Sequence, residues 1–283
     1  MEDPLTLEAI TGFIRHFVHT SHRNRLQRID NSPIFEQPLL GVANGDDPLF
    51  RSYKTIIGEF HLTPREILAK TDAPSRQQPP AELRVLCWVL PISRATRESN
   101  AQMTSEPSER WIHTYFYGEA FNHELRREVE SYIQRHGGRA LAPALSQVFR
   151  SLTDDSGKPS STWSERHALF VAGLGTFGLC DGFITSAGKA MRCGSVITDV
   201  PLPITPRTYD THTSNCPFLS RGTCGACIKR CPAGAISAEG HDKVLCKQYQ
   251  DETLRPLRER HGVSITGCGL CQTAVPCESA SPS

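Results

Sequence analysis

The sequence predicts a mixed α/β (α+β) protein whose C-terminal part is rich in cysteine. Apolar residues recur at helical spacing in several segments, and other segments are short apolar runs typical of buried strands. Eight of the 11 cysteines lie between Cys216 and Cys277. At about 150 residues per domain, the 283 residues have room for one or two domains.

The N-terminal segment, residues 1–80, is expected to pack on the core through two helices. Apolar residues at helical spacing predict the first helix over residues 5–19, and Pro64 at the first helical position predicts the second. Residues 30–52 are rich in Asn, Pro, Gly and Asp and are predicted to form a loop. Residues 72–81 contain three prolines and are predicted to be a linker.

The middle of the chain, residues 81–208, is expected to form an α/β domain. Residues 83–90 and 195–198 are apolar and predict buried strands, while the aromatic and polar alternation of residues 111–117 predicts a third. Residues 122–134 carry apolar residues four apart and predict a helix.

Three further segments complete this prediction. Residues 93–109 and 153–164 are predicted to be polar loops, and residues 168–172 a short strand. Three prolines after residue 200 then predict a domain boundary near residue 210. The last domain, residues 209–283, contains an amphipathic stretch over residues 243–257.

Composition and charge narrow the functional classes. The 31 basic and 30 acidic residues balance, so the sequence offers no general case for a nucleic-acid-binding surface. No apolar run reaches the ~18 residues of a membrane span, and the acidic N-terminus is not that of a signal peptide. We therefore expect a soluble cytoplasmic protein. Because cytosolic thiols are kept reduced, the clustered cysteines are predicted to bind metal rather than to form disulfides.

The first cysteine motif is Cys224-x2-Cys227-x3-Cys231-Pro232. Bacterial ferredoxins use a run of Cys-x2-Cys-x2-Cys-x3-Cys-Pro, in which the cysteine before proline ligates the other cluster. Arg221 occupies the position of the first cysteine of that run, and Cys216 is the nearest upstream thiol.

The second motif is Cys268-x2-Cys271, followed by Cys277, with Cys246 between the two motifs. Crossed ligation then divides the eight thiols into two sets of four, the ligand number of a [4Fe–4S] cluster. The first set is Cys216, Cys224, Cys227 and Cys277, and the second set is Cys231, Cys246, Cys268 and Cys271. Zinc bound by the two Cys-x2-Cys pairs is the alternative, although it leaves four cysteines unexplained.

A glycine-rich segment, Gly173-Leu174-Gly175-Thr176-Phe177-Gly178, fits the G-x-G-x-x-G pattern of dinucleotide sites. That mechanism needs a helix opening at the last glycine, and the glycines that follow disfavour one. Nucleotide binding is thus the weaker interpretation. Close approach of the backbone to another large cofactor stays open.

Other polar residues are considered for acid–base roles. Asp154 and Asp155 lie in a polar loop, and either one is interpreted as a solvated turn residue or as a general acid. His113, His123 and His167 lie beside aromatic or apolar residues, where a structural role is the commoner one. Cys180 and Cys193 are interpreted as inert buried thiols.

Together these motifs resemble epoxyqueuosine reductase, an iron–sulfur, cobalamin-dependent family related to reductive dehalogenases. The resemblance runs from about residue 83 to residue 277. It rests on the segment from Val171 to Gly178, on Gly194 to Asp199, on the pair Asp155-Ser156 and on the two cysteine motifs.

The resemblance implies a nitroreductase-like cobalamin-binding domain followed by a ferredoxin-like domain with two [4Fe–4S] clusters. Electrons would pass through the clusters to the corrinoid, and Asp155 would supply a proton. The residues that the resemblance assigns to cofactor binding are Tyr117, His123, Gly173, Gly175, Phe177, Gly178 and Ser195.

Departures from the family pattern bear on the substrate. Leu179-Cys180 stands where the family has Lys-His, and the chain ends six residues after Cys277, without the helical-repeat tail that helps related reductases hold tRNA. With a net charge of +1, tRNA binding also has little electrostatic support. A small molecule or a modified nucleoside is therefore the expected substrate, and an external donor such as ferredoxin or flavodoxin the expected electron source.

Two other functions stay open from the sequence. One is a ferredoxin-like electron-transfer or corrinoid-reducing protein without substrate chemistry of its own. The other is a nucleotide-dependent oxidoreductase that uses the glycine-rich segment.

Overall fold

Helices and short strands alternate along the chain. In the computed structural model, which describes residues 5–71, 79–153 and 157–282, the helices are α1 Leu7–Thr20, α2 Pro48–Ile56, α3 Pro64–Thr71, α4 Arg94–Ala101, α5 Glu109–Arg135, α6 Glu165–Val171, α7 Pro217–Arg221, α8 Ala226–Arg230 and α9 Lys243–His261. The strands are β1 Leu39–Asn44, β2 Arg84–Pro91, β3 Ala140–Leu141, β4 Ser151–Thr153, β5 Pro159–Ser161, β6 Gly175–Phe177, β7 Phe183–Thr185, β8 Met191–Thr198, β9 Ile236–Ser237 and β10 Gly240–His241.

The main sheet has the strand order β1-β2-β8-β3, and each neighbouring pair is antiparallel. Both faces of β2 are buried. Leu86, Trp88 and Leu90 pack with α1 and α5 on one face. Val85 and Cys87 pack with α2, α3 and α6 on the other. Burial on both faces explains why β2 is a continuous apolar run rather than an alternating one.

The register of the main sheet depends on a glycine opposite a large ring. Gly194 on β8 pairs with Trp88 on β2, and a Cβ atom at position 194 would lie 2.5 Å from the Trp88 ring. A side chain at residue 194 would therefore displace the indole from the core.

Several predicted elements are confirmed. The helices expected over 5–19 and from Pro64 are α1 and α3, and the strands expected over 83–90 and 195–198 are β2 and the second half of β8. The helix expected over 243–257 lies within α9.

The prediction of a strand over 111–117 is wrong. These residues form the first turns of α5, which continues through the predicted helix 122–134. Ser108 caps the helix, because its side chain accepts a hydrogen bond from the Trp111 backbone amide. Packing of one long helix face overrides the alternation of aromatic and polar residues.

Three other assignments are also corrected. The predicted loops 30–52 and 93–109 contain β1, the start of α2 and all of α4, and the predicted strand 168–172 belongs to α6. In α4 the side chains that face inward are polar, among them Thr96 and Asn100, so its apolar content gave no helical signal. The predicted loop 153–164 contains β5, and the main part of the linker, residues 72–78, lies outside the described residues.

The sequence predicts no membrane span. Across residues 5–71, 79–153 and 157–282, none of the helices is both long and apolar enough to cross a membrane.

A buried hydrogen-bond chain joins α5 to the main sheet and yields a test of the fold. The Trp88 indole donates to Asn122 Oδ1 at 2.9 Å, and Asn122 Nδ2 donates to the Cys193 carbonyl at 2.8 Å. Replacing Asn122→Leu leaves the buried indole N–H without a partner, while the Cys193 carbonyl keeps its bond from Arg126 Nη2 at 3.0 Å, so we expect the free energy of unfolding to fall by about 1–3 kcal/mol. Urea denaturation monitored by circular dichroism measures this loss.

The matched control is Arg127→Leu, an exposed position on the same helix. We expect its free energy of unfolding to stay within about 0.5 kcal/mol of the parent value. Equal midpoints for the Asn122 and Arg127 variants would contradict the role given to this chain.

Candidate metal centres and cofactor cavity

Four thiols line one small cavity in the C-terminal part of the chain. Its wall contains Cys216, Cys224, Cys227 and Cys277. Cys216 caps α7, Cys227 lies on α8, and the other two lie in loops. These are the four members of the first set derived from crossed ligation.

The other four thiols border a much larger cavity. Cys231 directly follows α8, Cys246 lies on α9, and Cys268 and Cys271 lie in the segment after α9. All four line the large cavity. The two Cys-x2-Cys pairs, which a single zinc site would need to join, therefore line different cavities.

The segment that carries Cys268 and Cys271 is fastened to the rest of the molecule at two points. The Trp111 indole at the start of α5 donates to the Gly267 carbonyl at 3.1 Å. Asn100 Nδ2 on α4 donates to Thr273 Oγ1 at 3.1 Å. Side chains from the N-terminal half of the chain therefore hold the second thiol set in place.

Cys180, interpreted from the sequence as an inert buried thiol, lies between the two thiol sets. Its buried thiol is hydrogen-bonded to the thiols of Cys227, from the first set, and Cys271, from the second, and these bonds lower the pKa of Cys180 well below the usual thiol range despite its burial. The departure Leu179-Cys180 from the family pattern was the available signal, because it introduces a ninth thiol into this region.

A buried lysine accompanies these thiols. Lys189 is 3% exposed, and its Nζ lies 3.3 Å from Cys180 Sγ. Burial alone would lower the pKa of Lys189, but the sulfur atoms of Cys180 and Cys277 raise it above its usual value. An ammonium group thus lies among thiols of both sets.

The large cavity has the size of a site for a large organic cofactor. Its volume is about 1700 Å³, whereas small-molecule sites have volumes of roughly 300–1000 Å³. Its wall combines aromatic side chains, charged groups and the thiols of the second set. The cavity and the second thiol set are therefore in contact.

Buried charges form one part of the cavity wall. Arg126 lies 3.3 Å from Glu119 and 3.2 Å from Glu165, and Arg192 lies 3.5 Å from Glu119. Burial alone would raise the pKa of Glu119, but His123, Arg192 and Arg126 lower it to about 2. Burial raises the pKa of Glu165 even though Arg126 and Ser195 stabilise its charge.

The glycine-rich segment forms a hairpin instead of a nucleotide site. Residues 175–177 form β6, which pairs with β7, so the helix that a dinucleotide site requires does not follow Gly178. At Gly175 a Cβ atom would lie 2.2 Å from the Ile184 carbonyl oxygen. At Gly173, where φ is +68°, it would lie 2.5 Å from the Pro206 carbonyl oxygen. Close backbone packing thus requires both glycines.

The residues expected to bind cofactor separate into two groups. Phe177, Gly178 and His123 line the large cavity. The others, Gly173, Gly175, Tyr117 and Ser195, are not among the residues of its wall.

Two of the four residues outside the cavity wall, Ser195 and Tyr117, make contacts within the protein. Ser195 is fully buried and donates to Glu165 Oε2 at 2.5 Å, while Tyr117 stacks on His113. Asp155, the expected proton donor, lies outside the described residues.

His167 is a neutral group on the cavity wall. Burial lowers the pKa of His167 to about 3, with a smaller contribution from Arg166. Its Nδ1 lies 2.7 Å from Ser164 Oγ, which fixes the ring orientation.

The chain is similar in sequence to several proteins named epoxyqueuosine reductase. It is 24% identical over 196 residues to an epoxyqueuosine reductase of Burkholderia pseudomallei (strain K96243), an alignment that covers 65% of this chain and 44% of the relative. It is 26% identical over 195 residues to an epoxyqueuosine reductase of Vibrio cholerae serotype O1, covering 64% and 46%. A stretch of 119 residues is 33% identical to the epoxyqueuosine reductase of Bacillus anthracis, covering 40% and 29%. The chain therefore spans less than half the length of these curated relatives.

Solved structures show the same likeness at the level of the fold. A selenomethionine-labelled epoxyqueuosine reductase matches with a TM-score of 0.50 and 15% identity, covering 98% of this chain and 68% of that protein. A catabolic reductive dehalogenase matches with a TM-score of 0.52 and 14% identity, covering 86% and 30%. No protein-family model matches the chain. The resemblance and the mixed α/β fold class predicted from the sequence are confirmed.

The low pKa of Glu119 makes a testable contribution to stability. Its pKa of about 2 in the folded protein lies below the ordinary value near 4.3, so folding favours the ionised form. This stabilisation is complete above the unfolded pKa and is lost as the pH falls from about 4.3 through 2. We expect Glu119→Gln to lower the free energy of unfolding by about 1–3 kcal/mol at pH 7, and the difference from the parent to shrink as the pH falls through this range. Urea titrations at a series of pH values measure it.

Glu128→Gln, a substitution on the same helix, serves as the control and should change the free energy of unfolding by less than about 0.5 kcal/mol. A difference between the Glu119 variant and the parent that stays constant from pH 7 to pH 3 would refute this role of the carboxylate.

Proposed function

We propose that this chain is an iron–sulfur, cobalamin-dependent reductase with two [4Fe–4S] clusters. The observation that carries the proposal is the arrangement of the thiols: four border a small cavity and four others border the wall of a cavity large enough for a corrinoid. The curated relatives are named as reductases, which supports the same function.

The chemistry of the donors fits two clusters. A [4Fe–4S] cluster takes four cysteine thiolates, and each cavity is bordered by the four thiols of one crossed set. Cys216, Cys224, Cys227 and Cys277 would hold the first cluster. Cys231, Cys246, Cys268 and Cys271 would hold the second.

The large cavity suits a corrinoid, and the fit rests on its volume of about 1700 Å³ and its mixed aromatic and polar wall. When bound, the clusters supply one-electron transfer and the corrinoid supplies a strongly reducing cobalt centre. We assign contact with the corrinoid to Phe177, Gly178 and His123. The other four expected cofactor residues, Gly173, Gly175, Tyr117 and Ser195, are assigned to the support of this wall.

The residues of the chain have separate tasks in this proposal. Arg126, Glu119 and Glu165 keep a fixed charged surface on the cavity wall, and neutral His167 can accept a hydrogen bond there. Asp155 is proposed to supply the proton. For this it must stay protonated near neutral pH, which burial beside a cofactor favours.

The names of the relatives indicate the class of substrate. One group is named for an epoxide-bearing nucleoside and the other for the removal of halide. We propose reduction of an epoxide, a halide or a similar group on a small molecule or a modified nucleoside, with electrons from a donor such as ferredoxin or flavodoxin. Because reduced thiols are needed as ligands, the proposed compartment is the cytoplasm.

Iron analysis tests the two clusters. We expect anaerobically purified protein to contain about eight iron atoms per chain, from two four-iron clusters. Cys224→Ala and Cys268→Ala should each remove one cluster and leave about four iron atoms. Iron, sulfide and zinc assays, with electron paramagnetic resonance of the reduced protein, distinguish the two variants.

Cys87→Ala is the control for these variants, because Cys87 is a buried thiol in the main sheet. It should keep the full iron content. Zinc in place of iron, or the same iron content in all four proteins, would eliminate the two-cluster assignment.

Cobalamin binding tests the large cavity. Ala144 lines this cavity, so Ala144→Trp fills part of its volume, and we expect it to weaken cobalamin binding at least tenfold. Ala9→Trp, on the exposed face of α1, should bind as the parent does. Anaerobic equilibrium dialysis and the corrinoid absorption spectrum measure the affinity. Absence of binding by the parent, with full iron content, would instead favour an electron-transfer protein without substrate chemistry.

A further inference from the structure

Three metal-binding side chains meet outside both thiol sets, where the start of α5 contacts the end of α9. Glu109 is the first residue of α5 and His113 lies one turn later, while His261 is the last residue of α9. One ligand atom from each of the three lies within 4.8 Å of the others. Neither the thiol chemistry nor the large cavity uses this group.

The spacing of the three atoms is that of a ligand set. Glu109 Oε1 lies 3.9 Å from His113 Nε2 and 3.5 Å from His261 Nδ1. These distances exceed the 2.7–3.2 Å of N–H···O hydrogen bonds, so a shared proton does not explain the convergence. Ligand atoms at about 2.1 Å from a tetrahedral zinc ion lie about 3.4 Å from one another. Small side-chain movements would close the set on an ion.

His113 also lacks ordinary partners. It is 4% exposed, and its buried Nδ1 makes no hydrogen bond to any part of the chain that the structure describes. An imidazole buried without partners is costly. Nε2, the other ring nitrogen, lies 3.9 Å from Glu109 Oε1 and is the atom that would bind the metal, while Nδ1 would carry the ring proton.

The donor types select the class of ion. Two imidazoles and one carboxylate suit zinc and its neighbours, whereas magnesium and calcium prefer oxygen ligands alone. Arg28 lies close by, because its Nη1 is 3.5 Å from the position of a Cβ atom on Gly262. Its positive charge opposes the binding of any cation, so the choice of ion rests on the donor atoms.

We infer that Glu109, His113 and His261 form a binding site for a zinc-type divalent ion with a structural role. The ion would join the end of α9 to the start of α5. The segment that follows His261 leads to Cys268 and Cys271, and Trp111 on α5 already holds its Gly267 carbonyl. The site would therefore reinforce the attachment of the second thiol set to α5.

Zinc titration of the anaerobically purified protein tests this site by comparing the parent with variants that lack one of the three ligands. The parent should bind one more equivalent of zinc than His261→Ala or Glu109→Gln, whatever the thiols hold. In both variants the affinity of that equivalent should fall at least tenfold. Calorimetry and metal analysis after dialysis give the stoichiometry, and the midpoint of thermal unfolding should rise with one equivalent of zinc in the parent alone.

The control is His19→Ala, which removes an exposed histidine from the last turn of α1, as His261 lies in the last turn of α9. It should bind zinc as the parent does. Glu109 is exposed and its replacement by Gln keeps its shape, so failure to fold is not expected for that variant. Equal zinc stoichiometry and equal thermal shifts in the parent and both site variants would overturn the inference and leave only a contact between Glu109 and two histidines. This outcome is independent of the iron and cobalamin content, so it leaves the proposed function unaffected.

Discussion

The attachment of the C-terminal segment beside the main sheet is the constraint on which the first thiol set depends. The backbone amides of Lys189 and Ala190 donate to the carbonyls of Cys277 and Glu278 at 2.9 and 3.1 Å, and the Ala190 carbonyl accepts from Ile92 after β2. Gly188 makes this approach possible, since a Cβ atom there would lie 2.2 Å from the Glu278 carbonyl oxygen. The residues before β8 therefore bring Cys277 to the first thiol set, although Cys277 and Cys216 are far apart in sequence. Displacement of this segment would open the cavity of the first set.

The sequence predicts the parts of the fold whose signal is local. After Arg84, β2 is apolar because both of its faces are buried, and α1 shows regular helical spacing because one face is buried. The start of α5 misleads, since aromatic and polar residues alternate there while the helix buries several neighbouring side chains, including Trp111 and Ile112. α4 is missed because its inward-facing residues are polar. In both cases tertiary packing outweighs the local pattern.

The candidate site also has some features that the sequence predicts and others that it does not. The cysteine spacing together with crossed ligation predicts two sets of four thiols, and each set lines one of two cavities. Spacing could not find Cys180, whose partners Cys227 and Cys271 lie many residues away in sequence. Nor could it show that Gly173 and Gly175 pack against backbone, because the neighbouring carbonyls come from β7 and from the segment after β8. Contacts between distant segments therefore account for most of what the sequence left out.

The burial of Lys189 bears on the chemical state of the sulfur atoms. An ammonium group removed from water is costly unless it is paired, and the groups that raise the pKa of Lys189 are the sulfur atoms of Cys180, Cys277, Cys271 and Cys227. Neutral thiols are weak acceptors and would leave this charge largely uncompensated. Thiolates, either free or ligating iron, carry the negative charge that the ammonium requires. Cys180 supplies this charge, because its pKa lies well below the usual thiol range and its Sγ is 3.3 Å from Lys189 Nζ. The pKa values of Cys227, Cys271 and Cys277 are raised, the first two by contact with Cys180 and by burial and the third by burial. A buried pair of Lys189 and the Cys180 thiolate is therefore a feature of this region that the spacing of the cysteines does not predict.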